Sequence, residues 1–171
     1  YNLNIPFTSY KNFIGYPFKD ILKKLGIKKN FSLIENDYKK FSEKKIVLIR
    51  PYNNVLKTIK FLKEKNILLG VCTSKDKKRT GLILKKYGLF FDFIECNKKG
   101  VKGKPNPNQL LKIINSSGVS IKRALYIGDM LVDSKTASRA KVDFVFAQWG
   151  YGHNKNYKYK IKSIKDIKKF I

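Results

Sequence analysis

The sequence lacks the features that mark secreted, disulfide-rich and membrane-spanning proteins. It contains two cysteines, Cys72 and Cys96, too few for a disulfide framework. Both fall in apolar runs, and we expect them to be small buried side chains on strands. No apolar run reaches the roughly 20 residues of a transmembrane helix, and residues 1–10 are too polar for a secretory signal. These features predict a cytoplasmic protein.

Acidic residues are also scarce. Twelve Asp and Glu stand against 38 Lys and Arg, which gives a formal charge of +26, and such an excess is compatible with binding to nucleic acid or anionic membranes. Few of the basic residues are arginines, although the bidentate guanidinium is favoured where proteins read bases. The lysines are spread along the whole chain. We therefore predict no specific nucleic-acid or membrane binding, and a nucleic-acid binder is the least favoured alternative.

Four short apolar runs, each followed by a helical pattern or a turn, organise the chain from residue 67 onward. Strands are predicted over residues 67–72, 91–96, 124–127 and 143–147, and helices over residues 77–87, 108–115 and 131–140. Strands that alternate with helices at this spacing are typical of βαβ units, which form a parallel sheet covered by helices on both faces. The sequence therefore predicts an α/β fold with a doubly wound parallel sheet.

The first part of the chain shows helical patterns without neighbouring strands. Apolar residues recur at helical spacing over residues 18–25, and Gly26 follows where a left-handed C-cap is expected. A second helix is predicted over residues 32–43, with Ser32 and Glu35 as a capping box at its start.

The length of 171 residues fits one domain with a small appendage. We expect residues 1–48 to form a partial helical cap and residues 49–171 to form the α/β core. A helix over residues 55–62 is expected to lead into the first strand, and residues 157–171 are expected to form a terminal helix that docks on the core.

Polar residues with complementary chemistry follow three of the predicted strands. Thr73 and Ser74 come after the first strand, Lys104 lies in the loop after the second, and Asp129 ends the third, with Asp133 one helical turn later. Because ligands of open parallel sheets bind at the carboxyl ends of strands, we expect these side chains to converge. A hydroxyl with helix-start amides holds phosphoryl oxygens, a lysine neutralises them, and aspartates bind Mg²⁺.

Each of these groups alone has an ordinary explanation as a helix cap, a solvated loop residue or a turn. Together they resemble the haloacid dehalogenase superfamily and, within it, the phosphoglycolate-phosphatase-like branch. Residues 71–75 (Val-Cys-Thr-Ser-Lys), 103–107 (Gly-Lys-Pro-Asn-Pro) and 128–133 (Gly-Asp-Met-Leu-Val-Asp) are similar to its second, third and fourth motifs. The turn at 149–152 (Trp-Gly-Tyr-Gly) and the segment 14–17 (Ile-Gly-Tyr-Pro) at the start of a helical cap also resemble this branch.

The resemblance implies a haloacid-dehalogenase-like core with a helical cap inserted after its first strand. It implies a Mg²⁺-dependent phosphatase that acts on a small phosphorylated metabolite through an aspartyl-phosphate intermediate. Thr73 and Lys104 would be the catalytic groups that hold the phosphoryl group together with Ser74. Asp129, helped by Asp133, would hold the metal.

The cap selects the substrate in such enzymes, and Tyr16, Phe18 and Lys19 are the candidates here. Phe18 stands where sugar-phosphate mutases of the superfamily carry an arginine, so mutase activity is not expected. Lys141 stands where relatives often have glycine, and a left-handed backbone there costs a non-glycine residue on the order of 1 kcal/mol. His153, the single histidine, is expected to be structural or solvated.

The first motif of the family is absent. Members begin with a strand that ends in Asp-x-Asp, whose first Asp attacks phosphorus and whose second acts as general acid and base, and no Asp-x-Asp occurs in these residues. That strand lies between those ending at Thr73 and Asp129. We expect a truncated chain, because deletion of a central strand would unpair backbone groups on both neighbours. The alternatives are a pyrophosphatase of the same fold and a non-catalytic anion-binding remnant.

Overall fold

The computed structural model describes residues 1, 3–153 and 156–171. Its helices are α1 (Phe7–Lys11), α2 (Phe18–Lys24), α3 (Phe31–Lys44), α4 (Val55–Glu64), α5 (Lys77–Lys86), α6 (Asn108–Ser117) and α7 (Leu131–Ala140), with 3₁₀ helices at Lys45–Leu48, Ile121–Arg123 and Ile164–Phe170. Its strands are β1 (Gly70–Thr73), β2 (Phe93–Cys96), β3 (Leu125–Gly128), β4 (Asp143–Ala147) and β5 (Tyr159–Ile161). Within these ranges, no helix combines the length and the apolar character that crossing a bilayer requires.

Each pairing between the described strands is parallel. β1 pairs with β2 from Gly70 opposite Phe93, β3 pairs with β4 from Leu125 opposite Asp143, and β4 pairs with β5. A helix lies between each strand and the next along the chain from β1 to β4, as parallel pairing requires. The predicted α/β fold with parallel strands is confirmed.

The strands form two sheets in this structure, β1-β2 and β3-β4-β5. Among the described residues, β1 and β3 are not paired with each other. A side chain nevertheless links the two strands, because the hydroxyl of Tyr126 in β3 donates to the carbonyl of Cys72 in β1 over 3.4 Å. The expected strand between β1 and β3 stays a prediction, and the separation of the two sheets is compatible with it.

Two clusters of buried apolar side chains hold the helices on the sheets. The first joins α6 and α7 to β3 and consists of Leu110, Ile114, Tyr126, Ala137, Ala140 and Val142. The second joins α4 to the C-terminal 3₁₀ helix through Leu62, Leu69 and Ile167. Packing of α6 and α7 fixes the loops that precede them, and those loops carry Lys104 and Asp129.

The bounds of α7 and β4 are as predicted, whereas β1 begins at Gly70 and not at Ile67. The backbone N–H of Leu69 donates to the Asp92 carboxylate at 2.7 Å, so a side chain takes the place of a strand partner there. Cys72 and Cys96 are free thiols on β1 and β2, with Cys96 buried and Cys72 half-buried.

The prediction of one terminal helix is wrong. Tyr159–Ile161 forms β5 beside β4, and a 3₁₀ helix follows it. Ile161 is buried while Lys160 is exposed, but an alternation over three residues is too short to be separated from a helical pattern. The 3₁₀ helix begins with a capping box in which Asp166 accepts the N–H of Ser163 at 3.0 Å.

Helices α2 and α3 confirm one predicted helix end and contradict one predicted helix start; that residues 1–48 form a cap stays a prediction. Gly26 has φ +78° and ends α2 in the left-handed conformation that we predicted. The capping box of Ser32 and Glu35 is wrong, because α3 begins one residue earlier, with Asn30 as a left-handed N-cap that makes no side-chain bond. Glu35 instead pairs with Lys39 at 2.6 Å. Helix α1 was not predicted.

Lys141 adopts the left-handed conformation that the sequence suggested, with φ 58° and ψ 35°. Its N–H bonds to the Ser138 carbonyl and the N–H of Val142 bonds to the Ala137 carbonyl, which closes the end of α7. A lysine at this position therefore carries backbone strain that a glycine would not.

We predict that Lys141→Gly raises the free energy of unfolding by about 0.5–1 kcal/mol, because relief of the left-handed strain exceeds the added entropy of the unfolded chain. Urea unfolding measures the change. Lys135→Gly, at an exposed position inside α7, is the matched control and should lower the free energy of unfolding by about 1 kcal/mol. A loss of stability in both variants would contradict the prediction.

Candidate phosphate and metal site

The first part of the site is the loop between β1 and α5. Thr73 ends β1, and its hydroxyl oxygen accepts the N–H of Lys75 at 3.1 Å. The hydroxyl therefore keeps its own proton for a further acceptor. Ser74 donates its hydroxyl proton to the carbonyl of Gly15, in the segment ahead of α2. Thr73 thus lies at the end of β1, Ser74 contacts the segment ahead of α2, and phosphate binding by either residue stays a prediction.

The second part is Lys104, in the loop between β2 and α6. Its side chain is 8% exposed, and its ammonium donates to Asp133 Oδ1 at 2.7 Å and lies 3.5 Å from the hydroxyl of Tyr126. Gly103 packs so closely on Pro17 that an added Cβ would lie 2.6 Å from the proline ring. The lysine is therefore a buried cation, and loss of its single acidic partner would cost several kcal/mol.

Asp133 is the centre of the hydrogen bonds in this region. Oδ1 accepts from Lys104 at 2.7 Å and from Tyr126 at 3.3 Å, and Oδ2 accepts the N–H of Met130 at 3.1 Å in the first turn of α7. Gly128 leaves room for this carboxylate, because a Cβ there would lie 2.5 Å from the Asp133 Cβ. Both oxygens of Asp133 are engaged by the protein, and its predicted role in metal binding is untested.

Asp129 is held from the opposite side by the turn after β4. Its Oδ2 accepts the N–H of Tyr151 at 2.7 Å. A Cβ on Gly150 would lie 2.2 Å from the Asp129 side chain, and one on Gly152 would lie 1.7 Å from the Asp129 carbonyl oxygen. Only glycine permits so close an approach at these two positions. The Trp-Gly-Tyr-Gly turn therefore packs directly against Asp129.

Two acidic groups in this region, the Asp129 carboxyl and the Tyr126 phenol, have raised pKa values. Burial raises the pKa of the Asp129 carboxyl, the N–H of Tyr151 opposes this shift, and the neighbouring Asp133 carboxylate adds to it. Burial and the charge of Asp133 also raise the pKa of the Tyr126 phenol. The phenol therefore remains protonated and can donate, while the Asp129 carboxylate is at a disadvantage without a cation beside it.

The residues present fit part of a magnesium site. Mg²⁺ prefers oxygen ligands and is usually bound by one or two carboxylates together with waters and substrate phosphate oxygens. Asp129 can supply such an oxygen. Within residues 1, 3–153 and 156–171, no group of three or more His, Cys, Asp and Glu side chains could hold a metal ion by itself. The coordination would therefore be completed by phosphate, water or groups outside these ranges.

The candidate substrate-selecting residues lie at α2. The ring of Phe18 stacks on that of Tyr38 in α3, with centroids 4.0 Å apart. Both rings line an apolar groove of about 660 Å³, which Lys75 and Tyr151 border. The ring of Tyr16 lies 4.7 Å from the Lys24 ammonium, and Lys19 is exposed. Substrate selection by Tyr16, Phe18 and Lys19 stays a prediction.

His153 follows the Trp-Gly-Tyr-Gly turn and is exposed, as expected.

Sequence reasoning missed two members of this site. Tyr126 lies in a predicted strand, and a buried tyrosine hydroxyl usually has a hydrogen-bond partner. Its position could therefore have indicated a polar contact near the site. Tyr151 acts through its backbone N–H, which no side-chain pattern reveals. The two glycines that flank it indicated a close backbone approach, although not to which residue.

Comparison with known proteins supports the motif assignment. The family model of the haloacid dehalogenase-like hydrolases matches residues 2–147. Similar curated proteins include phosphoglycolate phosphatases of Agrobacterium fabrum, 31% identical over 60% of this chain and 45% of that protein, and of Aquifex aeolicus, 29% identical over 81% and 67%. The pyrophosphatase PpaX of Halalkalibacterium halodurans is 30% identical over 68% of this chain and 55% of that protein.

The chain spans 45%, 67% and 55% of the length of these three curated relatives. Solved structures show the fold. A hydrolase from Pseudomonas syringae has a TM-score of 0.88 at 19% identity, covering 98% of this chain and 83% of that chain. CbbY from Rhodobacter sphaeroides in complex with phosphate has a TM-score of 0.84 at 14% identity, covering 97% and 82%.

The matched family region contains all three strand-end motifs, with Thr73, Lys104, Asp129 and Asp133. The folds agree over nearly the whole chain. The chain belongs to the haloacid dehalogenase-like hydrolase family.

Proposed function

We propose that the complete protein is a Mg²⁺-dependent phosphatase that hydrolyses a small phosphorylated metabolite through an aspartyl-phosphate intermediate. The observation that carries this proposal is the buried ammonium of Lys104, held against Asp133 beside the end of β3. A cation buried against the Asp133 carboxylate, and close enough to Asp129 to influence its pKa, suits a phosphate dianion bound with a divalent metal. The relatives named phosphoglycolate phosphatase favour a monoester.

The residues of this chain would bind and orient the phosphoryl group. Thr73 would donate its hydroxyl proton to one phosphoryl oxygen, together with amides at the start of α5. Lys104 would neutralise charge as it develops on the transferring group, and Asp133 would keep its ammonium in position. Mg²⁺ bound at Asp129 would stabilise the same charge as a Lewis acid. The attacking carboxylate is not among these residues, since the sequence contains no Asp-x-Asp.

Two alternatives each have a specific observation in their favour. The similarity to a protein named pyrophosphatase favours a diphosphate substrate at the same site. The absence of Asp-x-Asp from these residues favours a non-catalytic anion-binding protein. Phosphate release from phosphoglycolate and from pyrophosphate, measured side by side on the complete protein, distinguishes the three functions.

We place the protein in the cytoplasm, which the two free thiols support. Its partner in this proposal is the small phosphorylated substrate, and the dispersed lysines are taken to bind no specific nucleic acid.

We predict that Asp129→Asn in the complete protein lowers Mg²⁺-dependent phosphate release by about 100-fold or more, because the carboxylate that places the metal is lost. Asparagine preserves the shape of the side chain, so thermal unfolding should show that the fold is kept. Asp143→Asn, at an exposed position at the start of β4, is the control and should leave the rate unchanged. An undiminished rate in Asp129→Asn would mean that the metal is held elsewhere.

We also predict that residues 1–171 by themselves do not hydrolyse p-nitrophenyl phosphate above background in the presence of Mg²⁺. These residues contain no Asp-x-Asp motif, and therefore no aspartate of that motif to attack phosphorus. The complete protein, assayed in parallel, is the positive control. Turnover by residues 1–171 that is lost on Thr73→Val would show that a different nucleophile operates at this site.

A further inference from the structure

Helix α5 carries a buried arginine directly after the Thr73 loop. Arg79 is 5% exposed, and its Nε donates to Asp76 Oδ2 at 2.5 Å, while its backbone N–H donates to Asp76 Oδ1 at 2.9 Å. Asp76 is the N-cap of α5. Burial works against ionisation of Asp76, but the hydrogen bonds and charge of Arg79 outweigh it and hold the pKa below its usual value. One end of the guanidinium is therefore fixed to the core.

The other end of the guanidinium faces the helical unit formed by α1–α3. Its carbon lies 5.0 Å from the ring centroid of Tyr38, and Nη1 donates to the hydroxyl of Ser42, both on α3. The Tyr38 ring in turn stacks on Phe18 of α2, with an angle of 8° between the ring planes. A cation–π contact is stronger when it is desolvated, and Arg79 is buried, so it is a substantial link between α3 and α5.

Other polar links between α3 and α5 are weaker or more distant. Lys78 and Glu43 pair at 2.7 Å, but their side chains are 70% and 37% exposed, and exposed pairs contribute little. At the far end of α5, Lys86 and Tyr87 donate to backbone carbonyls of residues 46–49, which follow α3 and do not belong to it. Arg79 is thus the buried charged contact at the end of α5 that adjoins the Thr73 loop.

We infer that Arg79 is a positioning residue that fixes α3 against the start of α5 and so couples the placement of the helical unit to the Thr73 loop. Its effect on catalysis rests on the proposed phosphatase function, whereas the coupling itself does not. If α3 moves away, Arg79 loses Tyr38 and Ser42 but keeps Asp76. The loop then remains formed, while the groove lined by Phe18 and Tyr38 loses one wall.

Because Arg79 contacts α3 at one end and Asp76 at the other, its loss is expected to affect two kinds of ligand differently. A phosphate monoester extends beyond its phosphoryl group toward the groove, so its binding depends on where α2 and α3 lie. Inorganic phosphate is held by Thr73 and Lys104 of the core and does not reach α3. Loss of the Arg79 contact should therefore weaken binding of the monoester and leave binding of inorganic phosphate unchanged.

The test compares Arg79→Met, Arg79→Lys and the control Lys78→Met in the complete protein. In Arg79→Met we expect KM for phosphoglycolate to rise about 10-fold, the change for a lost contact of about 1.4 kcal/mol, with the inhibition constant of orthophosphate within about 2-fold of the parent. Lysine keeps a cation near Tyr38 but lacks the fork that reaches both Asp76 and Ser42. Arg79→Lys should therefore recover part of the loss, and Lys78→Met should match the parent.

Hydrogen exchange of the backbone amides of residues 31–44 provides a second readout that needs no turnover. We expect faster exchange in Arg79→Met and parent-like exchange in Lys78→Met. Unchanged exchange in Arg79→Met would overturn the inference, even if activity fell. Absence of phosphatase activity in the parent would overturn the proposed function alone, since the exchange result would still stand.

A variant on the opposite side of the contact covers the case in which Arg79→Met does not fold. Tyr38→Leu removes the ring from α3 but leaves the Arg79–Asp76 pair intact, and it should raise KM while sparing orthophosphate inhibition. Equal weakening of both ligands in Tyr38→Leu, or an equal rise of KM in Lys78→Met, would contradict a positioning role for Arg79.

Discussion

The buried ion pair of Lys104 and Asp133 is the interaction on which the site depends. It joins the loop after β2 to the first turn of α7, and Tyr126 extends it from β3 to the Cys72 carbonyl in β1. Through side chains, these contacts connect the two sheets, which share no strand pairing within the described residues. An apolar pair could hold the same elements together, but it would remove the cation that a phosphate requires. In the proposed function, Lys104 therefore both stabilises the fold and binds the phosphate.

The overall class of fold could be predicted because its signals are local. Short apolar runs alternate with amphipathic stretches, and the bounds of α7 and β4 follow from them directly. The proximity of Lys104 and Asp133 also follows from the sequence, since the loops after parallel strands meet at one edge of a sheet. The left-handed Gly26 and Lys141 could be foreseen from their positions at the ends of α2 and α7.

Features set by tertiary contact could not be predicted in the same way. Strand β5 consists of three residues, whose alternation becomes meaningful only beside β4. Ser32 and Glu35 have the spacing of a capping box, yet α3 begins one residue earlier, at Phe31. Nothing in the sequence near Arg79 points to Tyr38 or Ser42, because the pairing depends on how α3 packs on α5. Local patterns thus identify the groups at the site but not the contacts that orient them.

The enclosure of Asp129 by residues 149–152 has a consequence for the order in which the site matures on the ribosome. Synthesis proceeds from the N-terminus, so Thr73 and Lys104 emerge before Asp129, and Asp129 emerges before Tyr151, 22 residues later. The Thr73 loop can form early, whereas Lys104 gains its acidic partner only after Asp133 has emerged. The Asp129 carboxylate acquires its backbone donor and its glycine neighbours only once the turn has left the exit tunnel. The surroundings of Asp129, the proposed metal ligand, are therefore completed after those of Thr73 and Lys104.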